Sequence, residues 1–372
     1  MEEKLIIGID ASRSNVAQKT GTEYYSYEII KNLIKNNSRY YFRLYSKTEL
    51  DYVGGYPNVE NKVMKFSKLW SQVRLSMEIL LNPPHVLFEP AHTIPIIHGR
   101  KTVVTLHDVG FRYFPELYTP LERIYHNWCM GFSIKHATKI IAISEATRDD
   151  LIKIYGADPK KITVIYHGYE KNKYYPLSAI ERSPAWVEKM KPYVYFIGRL
   201  EAKKNLKNLV KAFGLLKKDG RVKHKLVLAG RPGYMYEEIE EEINSLDPKI
   251  RKDVIELGYV ADDKVSSLMR GADIFAFPSK FEGFGMPLVE AMASGVPIVG
   301  SNTTSIPEIT DKSALLSDPE DFLKLSENMK ILITDKRKRQ NLVNKGLKRA
   351  KDFNWTDAAH KTLEVLKKVA NN

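Results

Sequence analysis

Short apolar runs rich in β-branched and aromatic residues alternate with longer amphipathic stretches along the whole chain. In the first half Leu5–Asp10, Tyr40–Tyr45, Val86–Phe88, Lys101–Leu106, Lys139–Ile143 and Ile162–Tyr166 read as strands. In the second half Tyr193–Ile197, Lys225–Ala229, Val254–Leu257, Ile274–Pro278 and Pro297–Val299 do. Tyr24–Lys35, Leu206–Lys218, Tyr236–Ser245, Pro287–Ala293 and the tail Thr356–Val369 carry apolar residues at helical spacing. This alternation predicts an α/β fold, with parallel sheets covered by helices on both faces. A polar stretch, Glu170–Lys191, interrupts the pattern with Pro176 and Pro184 and reads as a linker. The 372 residues suit two domains of ordinary size. The expected division is residues 1–175, a linker 176–191, a second domain 192–352 and a terminal helix 353–372, whose return to the first domain is left open.

One amphipathic stretch raises a separate question. Phe66, Leu69, Trp70, Val73, Met77 and Leu80 fall on one face of a helix, opposite Lys68, Ser71, Arg74 and Glu78. The expectation is a helix packed on its own sheet; the alternative is an interfacial helix, where Trp beside Lys and Arg is common. The formal charge of +13 admits nucleic acid, anionic lipid or anionic small molecules as partners. The excess is spread over both halves with no basic arm, which argues against nucleic acid. Lone Cys129 excludes a disulfide framework and any multi-thiolate metal centre. The opening residues lack a basic segment followed by a long apolar one, and no run nears the roughly 20 apolar residues of a spanning helix. A cytoplasmic location, at most at the inner face of the membrane, is therefore expected, with weak contact to anionic lipid.

Familiar cofactor motifs are missing: there is no G-x-G-x-x-G after a strand, no P-loop, no H-E-x-x-H and no strict D-x-D. The densest chemistry lies in Phe277–Ala291. A strand ends, a loop holds Glu282, Gly283, Phe284, Gly285 and Met286, and a helix begins with Pro287 at its first position and stops at Gly295. Glycines there let backbone N–H groups and the positive helix end approach an anion. Glu282, and Glu290 in the helix's first turn, would repel phosphate and suit hydroxyl groups instead. A second loop, Gly198-Arg199-Leu200-Glu201-Ala202-Lys203-Lys204-Asn205, follows another strand. Its Arg199 and Lys204 could neutralise a diphosphate without a metal. Either loop alone would pass for a solvated turn; the two together do not. The histidines His85, His92, His98 and His107 lack metal spacing, and Asp149-Asp150 and Asp262-Asp263 read as solvated helix starts.

The pair Glu282…Glu290 is an E-x₇-E signature and Gly198-Arg199…Lys204-Asn205 a G-R-L-x-x-x-K-N signature. With Gly8-Ile9-Asp10, Gly21-Thr22-Glu23, Thr105-Leu106-His107-Asp108, Ile143-Ser144-Glu145, His167-Gly168, Leu228-Ala229-Gly230, Gly258-Tyr259-Val260 and Ser305-Ile306-Pro307-Glu308, they resemble the retaining GT-B glycosyltransferases of family four, also called group 1. The resemblance implies two Rossmann-like domains facing a cleft, the first binding the acceptor and the second the nucleotide-sugar donor. Carried over, Arg199 and Lys204 hold the diphosphate, Glu290 the ribose and Glu282 the transferred sugar. Gly283 to Met286 approach sugar and phosphates, the base is met near Gly230 and Tyr259, and Gly198 belongs to the donor-binding set. His107 reaches the donor sugar, and Gly21 lies near phosphates or acceptor. Two positions depart from the pattern: Lys19-Thr20-Gly21 supplies one glycine where two are common, and His167 stands where Asn is common.

The leading expectation is a metal-independent, retaining transferase moving a hexose, mannose favoured, from a nucleoside diphosphate to a hydroxyl of a glycan or lipid-linked acceptor, with no cofactor. The alternatives are a non-catalytic sugar-nucleotide or glycan binder on the same fold, and a nicotinamide dehydrogenase, disfavoured by the missing fingerprint.

Overall fold

The computed structural model describes residues 5–16, 19–35, 37–66, 69–178, 180–218 and 220–371. Two units are resolved by contact: residues 1–168 with 354–372, and residues 169–353.

The first unit is built on a parallel sheet of β1 (Ile6–Asp10), β2 (Tyr41–Ser46), β3 (Val59–Val63), β4 (Val86–Glu89), β5 (Thr102–Leu106), β6 (Lys139–Ala142) and β7 (Ile162–Val164), in the order β3-β2-β1-β4-β5-β6-β7. The central strands β4 and β5 are buried along their length, as double-sided coverage by helices requires. The Gly21–Lys35 and Trp355–Asn371 helices pack together on this unit. Gly168 meets the latter so closely that a Cβ there would lie 2.1 Å from the Trp355 nitrogen.

The second unit carries β8 (Tyr193–Ile197), β9 (Lys225–Ala229), β10 (Val254–Gly258), β11 (Ile274–Phe277), β12 (Ile298–Ser301) and β13 (Ala314–Ser317), all parallel, in the order β10-β9-β8-β11-β12-β13. Aromatic side chains fill its core: Tyr193, Tyr195, Phe196, Phe213, Phe275 and Phe277 are almost fully buried. Within the expected linker lies a short helix, Ala185–Glu188, whose Val187 is buried. Two edge strands, β3 and β13, lie outside the strands read from the sequence. β3 is Val-Glu-Asn-Lys-Val, half-exposed throughout and held partly by the 2.7 Å Arg43–Glu60 pair, so it has no apolar run to read.

The Phe66–Leu80 stretch corrects its expectation. The turn Ser71–Leu75 is π-helical, with the Leu75 N–H donating to the Trp70 carbonyl five residues back at 3.0 Å, and an α-helix continues over Ser76–Leu81. The wider turn shifts the face. Trp70, Leu75 and Ile79 point inward with Tyr45 and Leu87, and Trp70 donates to the Met64 carbonyl at 2.8 Å. The remaining stripe, Phe66, Leu69, Val73, Met77 and Leu80, faces outward. Glu78, expected on the solvent side, is buried and held by Lys62 and Arg74; Lys68 lies outside the described residues. Among the described residues no helix is long and apolar enough to cross a membrane.

Candidate functional site

The second sheet reverses its strand order between β8 and β11, and the loops leaving these strands start at the reversal. Open parallel sheets bind ligands outside the carboxyl ends of their strands at such a point. The two loops are 198–205 and 278–285, the two singled out by sequence.

Asn205 ties them together. Its backbone is left-handed (φ 60°), which ends the Ala202–Lys204 turn and admits the Leu206–Lys217 helix. Its buried amide donates to the carbonyls of Pro278 at 3.1 Å and Pro319 at 2.6 Å. The Lys280 N–H donates to the Lys203 carbonyl at 2.9 Å. So held, Lys204 Nζ lies 2.6 Å from Glu282 Oε1, with both side chains less than a fifth exposed. This is a charge-assisted hydrogen bond in a largely dry place. The Lys204 ammonium also lies 5.8 Å from the centroid of Phe277. Arg199 is placed differently: its side chain is 69% exposed, and its Nε is 4.0 Å from a Glu201 oxygen.

Gly198 and Gly230 end β8 and β9 side by side, and a Cβ on Gly230 would sit 1.8 Å from the Gly198 oxygen. Only glycine lets the two strand ends approach so closely. The Gly230 N–H donates to the Gly258 carbonyl at 2.8 Å, and next to Gly258 the half-exposed Tyr259 ring carries the Arg231 guanidinium at 4.7 Å.

Residues outside the two motifs shape the glutamate loop. The Glu282 N–H donates to Thr304 Oγ1 at 3.1 Å, and Ser305 Oγ lies 3.0 Å from the carbonyls of both Glu282 and Phe284. Gly285 (φ 87°) precedes the Met286–Ala293 helix, so Pro287 is its second residue and not its first. Glu290 accordingly sits in the second turn, a correction to its expected first-turn place. It is hydrogen-bonded by the Tyr174 phenol. Burial pushes the Glu290 carboxyl up to about 7 against that hydrogen bond, and Glu170 adds to the rise. Close by, the buried Tyr195 hydroxyl has no partner among the described residues.

Gly21 and His107 belong to the first unit. Gly21 opens the Gly21–Lys35 helix; Glu23 in its first turn accepts from Arg13 at 3.1 Å and from the Thr20 N–H at 3.1 Å. His107 follows β5 and is 4% exposed. Its Nε2 lies 2.7 Å from the Pro90 carbonyl, so the ring donates there. Its ring packs against Tyr25, His92 and His167 at 4.8, 4.9 and 5.9 Å, and His167 stacks on Trp355. Burial lowers all three imidazoles, His92 to about 3, which keeps the cluster neutral. Asp149 and Asp150, expected at a helix start, lie in the middle of the Glu145–Tyr155 helix, where Asp150 accepts from Tyr113 at 2.6 Å. Among the described residues no three His, Cys, Asp or Glu gather as a metal site.

Arg199, Lys204, Glu282, Glu290, Gly283, Phe284, Gly285, Met286, Gly198, Gly230 and Tyr259 thus all belong to one unit, on loops and strand ends of one sheet and, for Met286 and Glu290, on the helix that follows β11. Tyr174 and Thr304 are not among the sequence candidates, and Ser305 appears there only in the Ser305–Glu308 match, with no role assigned. A family model for "glycosyl transferases group 1" matches residues 179–349, and one for "glycosyltransferase family 4" matches residues 20–173. This chain belongs to the group 1, family four glycosyltransferases. Across 94% of its length this glycosyltransferase is 29% identical to an O-antigen chain mannosyltransferase B of Escherichia coli, 96% of which is covered. It is 27% identical to the O-antigen chain mannosyltransferase RfbU of Salmonella typhimurium, over 62% of this chain and 60% of that one. Its fold matches Anabaena HepE in complex with UDP-glucose at TM-score 0.74 and 20% identity, over 98% and 100% of the two chains. It also matches WaaG, a glycosyltransferase involved in lipopolysaccharide biosynthesis, at TM-score 0.73 and 14% identity, over 97% and 99%. The fold of this glycosyltransferase is therefore GT-B, two Rossmann-like parallel-sheet units with a helical C-terminus, and its activity is hexosyl transfer.

Proposed function

We propose that this enzyme transfers mannose, with retention and without a metal, from a nucleoside-diphosphate sugar to a hydroxyl of a glycan or lipid-linked acceptor. The observation that carries the reading is the pair of loops at the β8/β11 reversal, which places Arg199, Lys204 and the start of the Met286–Ala293 helix at one strand-end crevice. A leaving diphosphate develops charge as the glycosidic bond breaks. Two cations and a helix N-terminus fixed in advance stabilise that charge where it appears. Lys204 is held by Glu282 through one N–H, which leaves its other donors for phosphate oxygens. Glu282 is thereby oriented for hydroxyls of the transferred sugar, while the exposed Arg199 closes on the diphosphate. Glu290, once ionised, accepts from the ribose hydroxyls, and Gly283–Met286 present backbone to sugar and phosphates. The strand end at Gly230, beside Gly198, and Tyr259 one strand further along the sheet receive the base. His107, neutral and fixed through Pro90, meets the donor sugar, and Gly21 the phosphates or acceptor. Mannose as the sugar rests on the likeness to the O-antigen chain mannosyltransferase.

The test incubates the full-length enzyme with GDP-mannose, UDP-glucose and UDP-N-acetylglucosamine, each with EDTA in excess, and measures nucleoside diphosphate released. Release from GDP-mannose, with an α-linked product by NMR, is expected. Release from none of the three, whether in EDTA or after addition of Mg²⁺ or Mn²⁺, would leave a non-catalytic binder and overturn the reading.

A further inference from the structure

Arg231 belongs to neither sequence motif, yet the fold sets it beside the donor loops. Its side chain is exposed, and among the described residues no carboxylate pairs with it. Glu256, the acid of neighbouring β10, accepts instead from the Tyr236 hydroxyl at 2.6 Å. What the guanidinium does meet is the Tyr259 ring, 4.7 Å from its centroid and itself 51% exposed. A guanidinium over an aromatic face keeps its edge, and the donors on that edge, turned away from the ring.

The backbone fixes where this stack stands. Pro232 restricts Arg231 to extended conformations, which carries the chain straight out of β9 past Gly230. The Arg231 carbonyl accepts from the Leu200 N–H at 2.9 Å, and the Leu200 carbonyl from the Gly233 N–H at 2.8 Å. The next turn is so tight that a Cβ on Gly233 would lie 2.9 Å from both Arg199 Cγ and Glu201 Cβ. Arg199 and Arg231 therefore leave neighbouring strand ends, clamped together through Leu200. Arg199 stands at the phosphate end. Arg231 and Tyr259 stand on the next two strands outward, β9 and β10, away from the glutamate loop.

We propose that Arg231 selects guanine as the base of the donor nucleotide, its guanidinium edge donating to O6 and N7. The inference rests on the donor-binding reading above and adds the base to it. Two parallel N–H donors call for two adjacent acceptors on the base. Guanine offers O6 beside N7, whereas adenine sets an amino donor beside N7. Uracil alternates acceptor and donor along its edge. Cytosine has adjacent acceptors in O2 and N3, but its single ring covers less of the Tyr259–Arg231 stack than a purine does. The stack also holds the fork in place before the base arrives, so little side-chain freedom is lost on binding.

The experiment is isothermal titration of the full-length enzyme with GDP, UDP, ADP, CDP and 7-deaza-GDP, in which a C–H replaces N7. Wild type should bind GDP more tightly than UDP, ADP or CDP by about 5- to 150-fold, the range of one bidentate contact. 7-deaza-GDP should lose part of that advantage. Arg231→Met should bring GDP down to the affinity of UDP and leave UDP where it was, which also shows that the variant is folded. Arg231→Lys, which keeps the charge without the fork, should not restore the preference. Equal loss of GDP and UDP affinity in Arg231→Met overturns the proposal, because the guanidinium would then serve the diphosphate. Full recovery of the preference in Arg231→Lys overturns it as well. A wild type that binds UDP or CDP as tightly as GDP overturns the base assignment and leaves sugar transfer standing. Binding of no nucleotide at all would overturn both.

Discussion

Glu290→Gln should make the protein more stable above neutrality and worse at holding its donor. Burial raises the folded carboxyl to about 7, against 4.5 for an ordinary glutamate. Because the folded state binds the proton more tightly, native stability falls as pH rises from the unfolded value through the folded one. The cost is absent below about pH 4.5 and complete above about pH 7. A rise of this size corresponds to about 3 kcal/mol at pH 8, an upper bound because denaturant and water reach the site as it loosens. Glutamine keeps an acceptor for the Tyr174 phenol and carries no charge to desolvate, so most of that cost should vanish. Urea unfolding of the second unit, followed at pH 5 and pH 8, measures it. Wild type should lose stability between the two values and Glu290→Gln should not. Donor affinity should move the other way, since a neutral amide replaces a carboxylate accepting ribose hydroxyls, at about 1.5–3 kcal/mol per charge-assisted bond. That loss belongs in the donor KM. Equal pH dependence in both proteins would refute the buried-carboxyl account; unchanged donor KM in a folded Glu290→Gln would refute the ribose role.

The other predictions concern the phosphate end. Arg199→Ala should lower kcat by about 10²–10³ through lost charge stabilisation, with the urea midpoint almost unmoved because the side chain is 69% exposed; wild-type turnover would refute the assignment. Lys204→Met should destabilise the second unit by about 3–5 kcal/mol by leaving Glu282 buried without its cation. The double variant Lys204→Met/Glu282→Gln should recover much of that stability but no activity, and recovery of both would refute a catalytic role for the pair. Transfer should persist in excess EDTA; complete loss restored by Mg²⁺ or Mn²⁺ would show that the diphosphate needs a metal.

The sheet cores were legible in sequence because their strands are buried on both faces and read as continuous apolar runs. β4, β5, β8 and β11 start within a residue or so of where the pattern puts them. The edges were not. β3 alternates charged and small residues because one of its sides has no neighbouring strand, and β13, also at an edge, is only half-buried over three of its four residues and ends in Ser317. The Phe66–Leu80 stretch failed for a different reason. Its residues do follow a helical stripe, but the five-residue hydrogen-bond step of the Ser71–Leu75 π turn rotates that stripe out of the core, and no residue type announces a π turn.

The same distinction applies to the site. Arg199, Lys204, Glu282 and Glu290 are visible as sequence because the first two share one loop and the last two lie in one short segment, a loop and the helix it leads into. Tyr174, Thr304 and Ser305 act across the fold: Tyr174 reaches Glu290 more than a hundred residues on, and Thr304 holds the Glu282 backbone from the loop after β12. Their chemistry is that of any tyrosine, threonine or serine, and only the sheet order that sets β12 beside β11 gives it a target. Such residues matter most where the motif residues are held in unfavourable states. A glutamate raised to about 7 is partly protonated in neutral solution and must lose its proton to accept ribose hydroxyls fully. The Tyr174 phenol, which favours the carboxylate, lowers the energy of that step. Tyr174→Phe should therefore raise the pH at which donor binding reaches its plateau, leaving affinity at high pH nearly intact. A donor-binding pH profile that does not move in this variant would place Tyr174 in the packing of the second unit and not in the handling of the ribose.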